Sequence, residues 1–250
     1  MSTMGEIRKD NGTANAVISI SGVSKAFSTR LVLNNIDLEI GGTHSVCLFG
    51  VNGVGKSTLL RIAAGLLQPD KGVVRICGHD IGREPEKAGP QLGVISHKSM
   101  VYPNLTAIEN LSFFANLYGV KDGTTRIDKL LNDVGLFSYR FDRAGTLSRG
   151  LLQRLAIARA LVHRPSVLLA DEPFTGLDGE ACRHLILVLS DFVKNNGTIL
   201  MTAHDTKVGL KCCDRVIVLD NGTLILDEMT SDIDIDGFAQ DYLSYARAGN

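Results

Sequence analysis

An α/β domain with a parallel sheet, interrupted by a helical insertion, is the fold class this sequence predicts. Three observations predict it. Nearly continuous apolar runs, such as HSVCLFG (44–50) and SVLLA (166–170), read as strands buried on both faces. Helical patterns alternate with such runs, and that alternation implies a parallel sheet flanked by helices. From about residue 97 to 163 the character is helical, so this stretch reads as an insertion between two halves of one domain.

Each element follows in chain order. AVISIS (16–21), LNNIDLEI (33–40) and VVRICG (73–78) alternate or cluster apolar residues between glycine and asparagine turns, making the first ninety residues strand-rich. A helix starts near Ser57, runs through TLLRIAAGLL and ends before Pro69. LGVIS is a further strand. Thr106 and Glu109 have capping-box spacing, which predicts a helix from there through ENLSFFANLYG. RIDKLLNDVGL (126–136) and LSRGLLQRLAIARALV (147–162) carry helical periodicity. After Pro165 come strand 166–170, a helix near 179–194, strand TILMTA (198–203), a short helix, and strand DRVIVLD (214–220). Asp-Asn-Gly at 220–222 then signals a hairpin into LILD.

Composition narrows the partners. With 250 residues the chain is long enough for a substantial core, and a smaller lobe fits the same length. The net charge of −1, with no block of lysines and arginines, gives no reason to expect nucleic acid or an anionic lipid surface. Apolar runs fall well short of the roughly 20 residues that cross a bilayer. Residues 1–15 are polar, lack the apolar core of a signal peptide, and read as a disordered tail. Five cysteines without a Cys-x-x-Cys pair argue against a disulfide framework or zinc site and fit a reducing cytoplasm.

Four constellations carry chemistry. The first is residues 50–58, GVNGVGKST, where Gly50, Gly55, Lys56 and Ser57 satisfy the phosphate-loop pattern between a buried strand and a helix. Glycines let backbone N–H groups turn inward around phosphate oxygens, and the helix N-terminus favours negative charge. Lys56 adds a point charge worth on the order of 4 kcal/mol per phosphate charge at ~4 Å and an effective dielectric of ~20, before desolvation. The Ser57 hydroxyl is a ligand for Mg²⁺, and Asn52, Gly53 and Thr58 complete the ATP cradle.

The second is VLLADEP (167–173). Two adjacent carboxylates ending an apolar strand are costly unless they meet a cation or a reacting water. Asp171 is the natural Mg²⁺ partner and Glu172 the natural base for the attacking water. Strands also end in Asp-Glu turns without chemistry; the phosphate loop upstream is what gives this pair its weight. The third is Thr202-Ala203-His204-Asp205, where His204 ends a buried strand at the position where ligands of open α/β sheets collect. The fourth is LSRGLLQR (147–154). Ser148 is a helix N-cap and Gly150 permits close backbone approach, which fits an ordinary helix start as well as a binding loop.

Together these residues resemble the ATP-binding cassette (ABC) family of ATPases over residues 16–228. The resemblance implies a P-loop NTPase core of the ABC type with an antiparallel β subdomain and an inserted α-helical subdomain at about 97–163. The cassette then spans 16–230, followed by a C-terminal helical extension, 231–250. By the same resemblance LSRG is the signature loop, with Ser148 and Gly150 completing the ATP site of the opposite subunit in a head-to-tail homodimer. Thr175-Gly176-Leu177-Asp178 matches the loop that communicates between the sites, and Phe27 lies where an aromatic stacks on adenine. ATP and Mg²⁺ are the implied cofactors.

The sequence departs from the family pattern in two places. Arg149 and Leu151 replace a glycine and a glutamine of LSGGQ, and His97 stands where a glutamine usually meets Mg²⁺ and water. An imidazole can still contact water; the other reading of His97 is an ordinary loop residue. Segments 96–120 and 146–165 are similar to the ATPase subunit of the heme exporter of cytochrome c maturation. That similarity implies separate integral-membrane permease subunits, a place on the cytoplasmic face of the inner membrane, and no heme bound by this subunit itself. Drug, lipid and polysaccharide exporters share much of both segments. A soluble cassette, such as one serving iron–sulfur assembly, is the alternative of a different class. Met100–Leu105 and the following helix are the candidate permease-docking surface, although Phe113 and Phe114 also suit a core.

Overall fold

The computed structural model describes residues 16–96, 99–203, 205–234 and 237–238. His97, His204, the predicted tail at 1–15 and most of the predicted extension at 231–250 lie outside the described residues. Where that extension begins, Thr230–Asp232 form a single 3₁₀ turn.

The chain builds two sheets. The first is antiparallel, in the order β2-β1-β4-β5, from β1 (Ala16–Phe27), β2 (Arg30–Gly41), β4 (Lys71–Ile76) and the short β5 (His79–Asp80). The second has the order β10-β9-β3-β8-β7-β6. In it β3 (Ser45–Phe49), β6 (Leu92–Ile95), β7 (Val167–Ala170), β8 (Thr198–Thr202) and β9 (Arg215–Asp220) run parallel. Only β10 (Thr223–Met229) pairs antiparallel, across the 220–222 hairpin. Asn221 and Gly222 both have positive φ there, 45° and 78°, the backbone a two-residue hairpin of matching twist requires.

Two cores explain why the parallel strands are apolar throughout. Along a strand, successive side chains face opposite ways. Val46 and Leu48 of β3 point into one core with the antiparallel sheet and α1 (Lys56–Ala63). Cys47 and Phe49 point into the other, shared with α3 (Ala107–Leu117), α4 (Gly123–Asp133), α5 (Arg149–Leu161) and α6 (Gly179–Lys194). Residues of β7 divide in the same way, Val167 and Leu169 against Leu168 and Ala170.

Local signals set most helix ends. Thr106 and Glu109 form the reciprocal capping box at the start of α3. Ser148 caps α5, accepting from the Leu151 amide at 3.3 Å. One boundary departs from expectation. Helix α1 stops at Ala63 instead of running on towards Pro69, because Gly65 adopts φ +70°. Its amide bonds Ile62 O at 3.0 Å while the Leu66 amide bonds Arg61 O at 2.9 Å, the paired closure of a Schellman end. Residues 79–91, unassigned from sequence, hold β5, a short helix α2 (Pro85–Ala88) and a 3₁₀ turn.

Helix α5 also seals the sheet edge. Strand β6 is outermost, so its outward carbonyls need donors. Arg159 of α5 and His163 in the turn just after it supply them: the Arg159 guanidinium donates to Val94 O, and His163 Nε2 lies 2.9 Å from Leu92 O. Burial pushes the Arg159 guanidinium down to about 10, which leaves it charged at neutral pH. The His163 imidazole, stacked on the Tyr118 ring, is shifted down chiefly by its own burial.

Candidate active site

The phosphate loop leaves β3 at Phe49 and enters α1 at Lys56. Two of its glycines are sterically required. A Cβ on Gly50 would sit 2.5 Å from Leu219 O, and Gly55 holds φ +120° with Leu33 and Val32 side-chain atoms 3.0 Å from where its Cβ would be. Lys56 is buried at the base of the loop. Its Nζ donates to Gly50 O at 2.7 Å and Val51 O at 3.1 Å, so the ammonium lies against the loop backbone. Burial pushes the Lys56 ammonium down from its ordinary value, opposed by the negative charges of Glu172 and Asp171. Asn52 and Gly53 are exposed at the loop tip, and Ser57 and Thr58 are half-buried on the first turn of α1.

Strand β7 delivers the carboxylates. Asp171 is buried, and its amide donates to Ile95 O at 2.9 Å, extending the β6–β7 pairing by one residue. Glu172 follows with φ +50°, a left-handed conformation that costs a non-glycine residue roughly 1–2 kcal/mol. Its surroundings hold it there. The Glu172 amide donates to Thr202 Oγ1 at 2.9 Å, and Thr175 Oγ1 donates to Glu172 Oε2 at 3.1 Å.

Asp171 and Glu172 line a cavity of about 530 Å³ together with Ser96, Ser99, Met100, Arg149, Leu152, Gln153 and Thr175. A larger cleft of about 870 Å³ lies between α4 and α6, lined by Arg126, Lys129, Asp133, Leu187 and Asp191 among others. It has no adjacent carboxylates at a strand end, so chemistry rather than size selects the smaller cavity.

Other expected site residues lie elsewhere. Ser148 is exposed and Gly150 half-buried at the start of α5, and neither lines the carboxylate cavity. Asp178 is an exposed N-cap of α6 that accepts from the Ala181 amide at 2.7 Å, and that bond holds its carboxyl below the usual range. Phe27 ends β1 with 46% of its surface exposed and Lys25 Nζ 5.7 Å from its ring centre. His97 and His204 have no described position.

Sequence reading gave no contact to Thr202 or Gln153, and named Arg149 only as a departure from the signature pattern. Thr202 stands within hydrogen-bonding distance of both carboxylate residues. Gln153 donates to Pro173 O at 3.2 Å, tying α5 to the chain after β7. Arg149 packs over residues 175–178 of its own chain: a Cβ on Gly176 would sit 3.0 Å from Arg149 Nε. Only the strand order, which brings β8 beside β7, could have singled out Thr202.

The donors fit Mg²⁺. Among the described residues no group of three or more His, Cys, Asp and Glu side chains could hold a metal. A magnesium ion takes one or two protein oxygens and completes its shell with water and substrate phosphate, so Asp171 and the Ser57 hydroxyl beside a phosphate loop suit it. No helix among the described residues is long and apolar enough to cross a membrane.

The chain is similar to known proteins. A family model described as ABC transporter matches residues 33–175. The linearmycin resistance ATP-binding protein LnrL of Bacillus subtilis is 31% identical over 211 residues, 84% of this chain and 68% of that protein. The Nod factor export ATP-binding protein I of Cupriavidus metallidurans is 34% identical over 215 residues, 85% of this chain and 71% of that protein. Among solved structures, a dimeric ATP-binding cassette in a post-hydrolysis state with ADP and Pi superposes with a TM-score of 0.79. It is 27% identical, over 85% of this chain and 98% of that one.

Proposed function

This chain belongs to the ABC transporter family as one of its ATP-hydrolysing cassettes, and we propose that it energises an exporter as a homodimer bound to separate membrane subunits. The observation that carries the site assignment is that the negative charges of Asp171 and Glu172, after β7, act on the buried Lys56, after β3, two parallel strands with only β8 between them. In this reading residues 16–230 are the cassette and about 97–163 its helical subdomain.

Lys56 and the amides of Gly53 and Gly55 bind the ATP phosphates, with Asn52 and Thr58 completing the cradle. Ser57 and Asp171 hold Mg²⁺, which when bound neutralises charge on the terminal phosphates. Glu172 takes the proton of the attacking water. His204, predicted at the end of a buried strand, contacts the terminal phosphate, and His97, standing where the family usually has a glutamine, contacts the attacking water unless it is an ordinary loop residue. Ser148 and Gly150, outside their own chain's cavity, serve the site of a partner copy, which accounts for the exposure of Ser148. Asp178 and Phe27 line the interface and the adenine. The dimeric state of the structural relative supports this arrangement.

The exporter reading draws on relatives whose names record resistance and export. For the cargo pathway, we take the similarity of segments 96–120 and 146–165 as pointing to heme export in cytochrome c maturation. The relatives' names, which record linearmycin resistance and Nod factor export, favour a second reading, another cargo such as a drug, lipid or polysaccharide. Either way the cassette sits on the cytoplasmic face of the membrane. One preparation tests the reading. Glu172→Gln is expected to lose turnover by about 10²–10⁴-fold while an ATP-bound dimer accumulates and co-purifies with a polytopic membrane protein. Normal turnover removes Glu172 from its role, and a trapped dimer that never meets a membrane protein ends the exporter reading.

A further inference from the structure

Strand β8 is apolar between two threonines, Thr198 and Thr202, both with fully buried side chains. A hydroxyl at such a position is costly unless its bonds are made, and valine has the same shape without that requirement. Thr198 uses its hydroxyl for the fold, since Oγ1 accepts from the Thr43 amide at 3.2 Å. Thr202, at the opposite end of the strand, faces the site.

Its surroundings fix the direction of both hydrogen bonds. A carboxylate only accepts and an amide only donates. The Thr202 hydroxyl therefore donates to Asp171 Oδ1 at 2.8 Å and accepts from the Glu172 amide at 2.9 Å. Pairing of Ala170 with Met201 brings the two strand ends out side by side, one residue short of this contact. One oxygen thus joins the carboxylate of Asp171 to the backbone of Glu172, at the point where φ is +50°. Displacing it would shift Asp171 and Glu172 relative to each other.

We propose that Thr202 is a positioning residue for hydrolysis, setting the Asp171 carboxylate and the Glu172 backbone in one fixed relation. It touches neither phosphate nor water itself. The proposal rests on the reading of Asp171 and Glu172 as the metal-binding and water-activating pair, so the experiment separates the two.

The full chain is compared with Thr202→Val, Thr202→Ser, Thr198→Val and Glu172→Gln. Three quantities are read: kcat and KM for ATP with saturating Mg²⁺, Mn²⁺ binding to the ATP-loaded protein by electron paramagnetic resonance, and the thermal midpoint. Removing a supporting contact to a metal ligand typically costs 10–100-fold, so Thr202→Val is expected to lose about that in kcat, to weaken Mn²⁺ binding about 10-fold, and to keep KM for ATP within about threefold. Thr202→Ser keeps the hydroxyl and retains most of the turnover. Thr198→Val lowers the thermal midpoint and leaves kcat unchanged, which separates positioning from stability.

If Thr202→Val fails to fold, Thr202→Ser and Thr202→Ala serve instead, because both lose the methyl group and differ in the hydroxyl. Serine faster than alanine by about 10-fold or more supports the proposal. Equal turnover in the two, or normal kcat and Mn²⁺ binding in Thr202→Val beside an inactive Glu172→Gln, overturns it. An active Glu172→Gln overturns the underlying reading instead.

Discussion

The ends of β7 and β8 and the loop ahead of α3 each depend on one fully buried polar side chain, and the two anchors secure different things. Thr202 secures two carboxylate residues against each other in the interior. Asn110, equally buried, secures a surface loop: its Oδ1 accepts from the Tyr102 amide at 2.7 Å and its Nδ2 donates to Tyr102 O, Leu105 O and Thr106 O. Around Thr202 the neighbours are packed strands. Around Asn110 the aromatic rings of Tyr102, Phe113 and Phe114 cluster with centroids 5.0–6.2 Å apart, and Tyr102 and Phe113 remain exposed. A buried polar group fixes geometry in both places, once for a reaction and once for a surface held ready. Exposed aromatics on a pinned loop are what a permease-docking face would present.

Three substitutions probe that contrast, in order of expected effect on stability. Leu168 lies fully buried in β7, and Leu168→Ala is expected to destabilise by about 2–5 kcal/mol, read as a lower urea midpoint. An undiminished midpoint would show that the strand region is less tightly packed than its burial implies. Asn110→Ala removes the acceptor of the part-buried Tyr102 amide and is expected to cost about 1–3 kcal/mol, with faster proteolysis between residues 100 and 106. Unchanged cleavage there would mean the loop holds its shape without the anchor. Leu117, 65% exposed at the end of α3, should tolerate serine within about 0.5 kcal/mol, while retention of a membrane partner falls. Retention equal to wild type would move the docking face away from this helix.

Parts of this molecule are legible residue by residue. The capping box at Thr106 and Glu109 and the Asp-Asn-Gly hairpin are local, because their hydrogen bonds close within a few residues. The end of α1 was equally local in cause, since Gly65 stands in the sequence at the stop, yet the apolar residues beyond it imitate a continuing helix. Among the site residues, the phosphate loop and the Asp171–Glu172 pair could be named from spacing. Their approach to one another could not, because nearly 120 residues separate them.

What the sequence by itself determined is the set of parts: buried strands, a phosphate loop with Lys56, a carboxylate pair, and capped helices. Each is specified by short-range sterics, periodicity or spacing. What only the tertiary structure decided is which parts are neighbours. The order β3-β8-β7 places Thr202 between Asp171 and the Glu172 amide, and α5 against the edge of β6. Those contacts span 30 to 65 residues of chain. They follow from how two-faced apolar strands share their cores, a property of the assembled sheet that no local pattern encodes.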